Sequence, residues 1–131
     1  MADLRLVLVT PEKTLFDREV DSVSVPMFDG SAGIYPHRAP LVGRLGVGEL
    51  TLRSGGGTES YFIEGGFVQV KGPQVSVLTS AAVPAGELTV EEGTAALEEA
   101  KAEKGSTDAA IESREQKLDR ARKMITIARR N

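Results

Sequence analysis

The hydrophobic pattern of this chain changes period once, near Pro84, and that change limits it to a two-part fold. From Leu4 to about Thr79 the apolar residues come in short runs: LRLVLVT, TLFDREV, DSVSVPM, GELTLR, SYFIEGG, FVQVKG and QVSVLTS. Each run is rich in β-branched or aromatic residues and is bounded by Gly, Pro or Asp. SVSV and VQV alternate with period two, the pattern of a strand that buries one face. SGGGTES reads as a hairpin loop, Gly65-Gly66 as a bend and Lys71-Gly72-Pro73 as a tight turn. Short strands punctuated in this way predict an antiparallel β-sandwich or flattened barrel over residues 1–87.

Residues 88–131 read as a two-helix antiparallel hairpin, so the fold class is mainly β plus α. Thr89 followed by Glu92 forms a capping-box signature, and Gly105 reads as a helix stop. Thr107 or Asp108 can cap the second helix. Ile111, Leu118 and Ile125 recur every seven residues there, with Ala121 and Ala128 beside them. Gly93, Ala96 and Ala100 give the first helix a small-residue face. Stripes this thin predict a hairpin that is marginal alone. The first helix is acidic and the second basic, which helps the pair close.

Composition narrows the function. Aromatics make up 5% and Trp is absent, so the core must be built from Val, Leu, Ile and Ala. A net charge of −3 argues against nucleic-acid binding. The absence of cysteine excludes disulfides, thiolate catalysis and Cys-zinc sites, and a single histidine excludes His-rich ligand clusters. GGGTES lacks the Lys-Ser/Thr of a phosphate-binding loop, and no carboxylate spacing marks a catalytic pair. MADLRLVLVTPEK is not a signal peptide, and nowhere is there an apolar run of about 18 residues. The expectation is a soluble, cytoplasmic chain with no catalytic, metal or cofactor site.

The stretch from Asp29 to Leu50 carries the densest punctuation: Gly30, Gly33, Gly43, Pro36, Pro40 and the lone His37. Such a stretch predicts a sharply shaped loop on a rigid sheet, where function often sits. Its residues Gly30, Gly33, Ile34, Pro36, His37, Pro40 and Leu41 resemble the N-terminal turn of the epsilon subunit of the F-type ATP synthase. IEGGFVQVKGPQVSVLTSAAVPAGEL (63–88) resembles the same family's second marker. The resemblance spans almost the whole chain, with both markers in order ahead of a helical tail.

That resemblance implies a β-sandwich of about ten strands, a helical hairpin, and a non-catalytic place on the central stalk against the gamma subunit and the c-ring. It implies partner contacts by Asp29, Ser31, Tyr35, His37 and Arg38, with Gly30, Gly33, Pro36 and Pro40 shaping the loop. It also implies that the second helix, through Arg120, Arg122, Lys123, Arg129 and Arg130, can meet an acidic loop of the catalytic beta subunit and inhibit ATP hydrolysis. Membrane association would then be peripheral, through the complex. Some members bind ATP through [IL]-D-x-x-R-A. Here the matching residues are Leu88, Thr89, Val90, Glu91, Glu92 and Gly93, which put Thr for Asp, Glu for Arg and Gly for Ala. LDRARK (118–123) has the wrong spacing and lies on the second helix. The alternative from the residues alone is a free-standing β-sandwich binding module with a helical interaction tail. A small barrel enzyme lacks any catalytic constellation.

Overall fold

The computed structural model describes residues 4–37 and 39–131. The chain divides into two compact units with the break between Val83 and Pro84, slightly ahead of the expected boundary at 87/88. The 3₁₀ turn Ala85–Glu87 and Leu88 therefore go with the helices.

Among the described residues the first unit holds eight strands: β1 (Leu4–Val9), β2 (Thr14–Val20), β3 (Ser22–Met27), β4 (Gly30–Ile34), β5 (Leu41–Ser54), β6 (Gly57–Lys71), β7 (Gln74–Leu78) and β8 (Ala82–Pro84). They hydrogen-bond in the order β2-β1-β7-β6-β5-β3-β4, with β8 beside β6. Alternation forms them as expected. Leu4, Leu6 and Leu8 of β1 are buried while Arg5 is exposed. One pairing departs from the antiparallel expectation: β1 and β7 run parallel, Leu6 opposite Val75 and Leu8 opposite Val77. Period-two patterning fixes which face is buried but carries no strand direction.

β5 and β6 are longer than the sequence punctuation implies, because the glycines bend the strands instead of ending them. Gly65 (φ +72°) and Gly66 (φ +108°) lie inside β6, opposite the Leu45–Val47 segment of β5. The parity of the core-facing residues switches there, while Phe62, of the other parity, is buried outside that core. In β5, Leu45 points inward before the corner and Leu50 and Leu52 after it; in β6, Ile63 does so before and Val68 and Val70 after. The two strands switch faces together while their mutual register is unbroken, so one sheet can fold over into two layers. The β5–β6 connection is a two-residue turn, Gly55 (φ +59°) and Gly56 (φ +81°), the geometry that matches strand twist. The core between the layers is Val, Leu and Ile throughout, with Phe16 and Tyr61 at its margin.

The second unit holds α1 (Val90–Ala102) and α2 (Asp108–Ala128). The Thr89 hydroxyl accepts the Glu92 N–H at 3.1 Å, and Thr107 accepts Ala110 N–H at 3.1 Å, satisfying amides that the helices leave open. A Cβ on Gly93 would lie 2.6 Å from Ile125 Cγ1, so the helices touch through glycine. Gly105 is not the helix stop. α1 ends at Ala102, with Glu103 extended, and Gly105 instead leaves room for Ala110, whose Cβ would sit 2.5 Å from an added methyl. The buried stripe of α2 is Leu118, Ala121, Met124, Ile127 and Ala128. Ile111 is 50% exposed, since the segment beside it is the inter-helix loop and not α1.

Candidate docking surface

The stretch expected to be one protruding loop is mostly strand. β4 occupies Gly30–Ile34 and β5 begins at Leu41, which leaves residues 35–40 as the connection. Asp29 and Ser31 lie at the β3–β4 turn, whereas Tyr35 and His37 lie beyond the other end of β4. At about 3.3 Å per residue, some 13 Å of strand separates the two pairs. Arg38 lies outside the described residues. Tyr35 is 65% exposed, and Asp29, Ser31, His37 and Pro40 are exposed as well.

Among the described residues of the 35–40 connection the positive φ belongs to His37 (φ +68°), a conformation in which histidine is more frequent than bulkier residues. Gly33 sits in β4 at ordinary φ; a Cβ there would meet the Tyr35 ring at 3.1 Å, so its smallness accommodates the ring. Gly30, at φ +136°, does need glycine's backbone freedom.

A surface that sequence reading missed is assembled by sheet register. Arg44, Phe67 and Leu78 are cross-strand neighbours on β5, β6 and β7. Phe67 is 60% and Leu78 52% exposed. Phe28, at the β3–β4 turn, extends the row: its N–H donates to the Arg44 carbonyl at 3.0 Å, and the Arg44 guanidinium lies 5.7 Å from its ring centroid. Val42, exposed on the same face of β5, widens the row. At the far end, Leu78 borders a shallow recess of about 240 Å³ shared with Val9, Pro11 and Thr79. Thr79 is buried and fixed, accepting the Glu64 N–H at 3.2 Å and donating to the Ala81 carbonyl at 3.1 Å. The signal was present in FVQV: Phe67 shares the parity of Gln69 and Lys71, the solvent side, and this large apolar residue stays exposed even beside Leu78. A contiguous apolar row on an outer face is a candidate interaction surface.

On α2, Arg122 is exposed, Arg120 and Lys123 are half-buried, and Lys123 pairs with Asp119 at 3.0 Å; Arg129 and Arg130, just past the helix end, are exposed. The Thr89 hydroxyl and the Glu92 carboxylate, 3.2 Å apart, are both engaged at the α1 cap. Among the described residues no three His, Cys, Asp or Glu side chains converge on a point, and no helix is long and apolar enough to cross a membrane.

Residues 3–85 match the family described as ATP synthase, Delta/Epsilon chain, beta-sandwich domain. The chain is 44% identical to the ATP synthase epsilon chain of Rhodopirellula baltica over 126 residues, 96% of this chain and 98% of that one. It superposes with TM-score 0.85 and 27% identity on a chain of the Euglena gracilis mitochondrial ATP synthase, in a cryo-EM structure that includes the c-ring, covering 96% of this chain and 81% of that one. A chain from the central stalk and c-ring of the Tetrahymena thermophila mitochondrial ATP synthase shares the fold, with TM-score 0.80 at 14% identity and 96% of both chains covered.

Proposed function

We propose, since the chain belongs to the ATP synthase delta/epsilon-chain family, that it is a non-catalytic subunit of the enzyme's central stalk. In this reading the sandwich docks on the gamma subunit and the c-ring, and helps couple ring rotation to ATP synthesis in the catalytic head. The observation that carries the reading is the outward row Phe28–Arg44–Phe67–Leu78. Its occupant is the gamma subunit, and the turn with Tyr35 and His37 faces the ring. The complex then sits on the cytoplasmic face of the cell membrane, and this chain reaches that membrane only through the ring.

The hairpin supplies regulation. Arg120, Arg122, Lys123, Arg129 and Arg130 give α2 a basic surface suited to an acidic loop of the catalytic beta subunit, a contact that would oppose rotation in the hydrolysis direction. ATP has no place at the start of α1. Thr89 and Glu92 stand where nucleotide-binding relatives carry Asp and Arg, and a carboxylate repels phosphate where a guanidinium would clamp it.

Co-purification of the full-length chain with gamma and the c-ring tests the docking face. Phe67→Asp and Leu78→Asp should each weaken retention roughly tenfold or more while leaving circular dichroism unchanged, because both side chains already face solvent. Retention of both variants at the wild-type level would refute the docking face.

A further inference from the structure

One side chain joins the two ends of the hairpin unit. Asn131 follows the last turn of α2, and its Nδ2 donates to the carbonyl oxygens of Ala85 at 2.8 Å and Leu88 at 3.0 Å. The Leu88 carbonyl lies one residue ahead of the Thr89 cap, and the first α1 bond runs from Gly93 N–H to the Thr89 carbonyl, so that ladder starts beyond it. The Ala85 carbonyl accepts the Leu88 N–H at 3.2 Å within the 3₁₀ turn and has a second lone pair for Asn131. Both amide hydrogens of Asn131 thus find acceptors. Backbone bonds hold the residue in position: Arg130 N–H donates to Ile127 at 3.2 Å and Asn131 N–H to Ala128 at 3.1 Å. In the same unit Leu88, Met124, Ile127 and Ala128 are buried.

The opposite end of the hairpin is tied differently. There Lys117 pairs with Glu103, an ion pair that salt screens, and Arg114 donates to the Lys101 carbonyl at 3.4 Å, whereas the Asn131 amide, though also exposed, bonds neutral carbonyls. That end also carries the covalent loop, residues 103–107, so the helices cannot part widely there. Wide separation has to begin where the start of α1 meets the end of α2, and that is where the Asn131 amide sits.

We propose that Asn131 is a clasp that holds the end of α2 to the entry of α1, and that its release is the step that frees the second helix. The consequence for ATP hydrolysis rests on the braking role proposed above; the clasp itself does not.

Hydrogen exchange on the full-length chain tests it. Asn131→Ala should accelerate exchange roughly tenfold throughout the hairpin, at Ala100, Ala121 and Met124 as well as in the last turn. Sandwich amides such as Val68 and Val77 serve as unchanged controls. Asn131→Asp should accelerate it more, because a carboxylate has no donor and would face two carbonyl oxygens. Acceleration confined to residues 127–131 would reduce Asn131 to a local end cap and overturn the proposal, as would wild-type exchange in the Asp variant. If the variants open the hairpin while hydrolysis by the assembled enzyme stays unchanged, the clasp stands and the braking role fails.

Discussion

Gly66→Ala is expected to damage the sandwich more than any other single methyl added to its glycines. A Cβ there would lie 1.8 Å from the Leu78 carbonyl oxygen, 2.8 Å from its carbon and 2.9 Å from Thr79 Cα. All three are backbone atoms, so no rotamer change can relieve the contact. The φ of +108° adds strain for any residue with a Cβ, about 1–3 kcal/mol. Moving β7 aside would break ladder bonds near Phe67–Leu78, at about 1 kcal/mol each. The total is about 3 kcal/mol or more, a large share of the ~5–15 kcal/mol that holds a typical domain. Gly55→Ala is the internal control. Its φ is also positive, at +59°, but nothing lies within 4 Å, so only backbone strain of about 1 kcal/mol applies. Both tyrosines, Tyr35 and Tyr61, lie in the sandwich and there is no tryptophan, so tyrosine fluorescence in a urea titration reports that unit alone. A Gly66→Ala loss no larger than that of Gly55→Ala would refute the close-approach reasoning.

His37→Gly should stabilise the sandwich by about 0.5–1 kcal/mol by relieving a positive φ, whereas His37→Ala should leave urea unfolding nearly unchanged and weaken stalk binding. Gly93→Val should separate the helices, because Ile125 Cγ1 and its backbone nitrogen lie 2.6 and 3.1 Å from the new Cβ; far-UV dichroism should fall while tyrosine fluorescence stays native. Asp17, on the surface, is held below the ordinary carboxylate pKa by hydrogen bonds from Arg5. Its contribution is therefore present above the unfolded value near pH 4 and lost as pH falls through the folded one, so the gap in urea midpoint between wild type and Arg5→Gln should narrow on acidification. Deleting residues 107–131 should raise ATP hydrolysis by the assembled enzyme without impairing assembly, and the difference should shrink with salt; equal rates at low ionic strength would mean the basic helix is no brake.

What the sequence disclosed follows the range of each interaction. The Thr89–Glu92 cap, the Gly55-Gly56 turn and the alternation of Leu4, Leu6 and Leu8 depend on neighbours a few residues away, and all are legible by eye. Gly65-Gly66 was legible as a bend, but whether a bent strand keeps its partner depends on β5, which is remote at the point of reading. Ile111 fits the heptad of α2 yet faces solvent, because burial needs an opposite helix and α1 has already ended. The docking row escaped for the same reason. Arg44, Phe67 and Leu78 are far apart in sequence and meet only through strand register.

The parallel pairing of β1 with β7 also sets the order in which this chain can fold during synthesis. Near the ribosome β1 can form a local hairpin with β2, since only the short segment between Val9 and Thr14 separates them. Its other edge must wait for Gln74–Leu78, because nothing earlier supplies the parallel partner. Until then the apolar face of Leu4, Leu6 and Leu8 rests on a two-stranded ribbon, which is barely stable in water. Closing so long a loop costs entropy before the contact returns any stability, so the last step should be slow and the waiting ribbon prone to bind other chains. A nascent chain stalled before residue 74 should therefore engage chaperones, and one released past Leu78 should not.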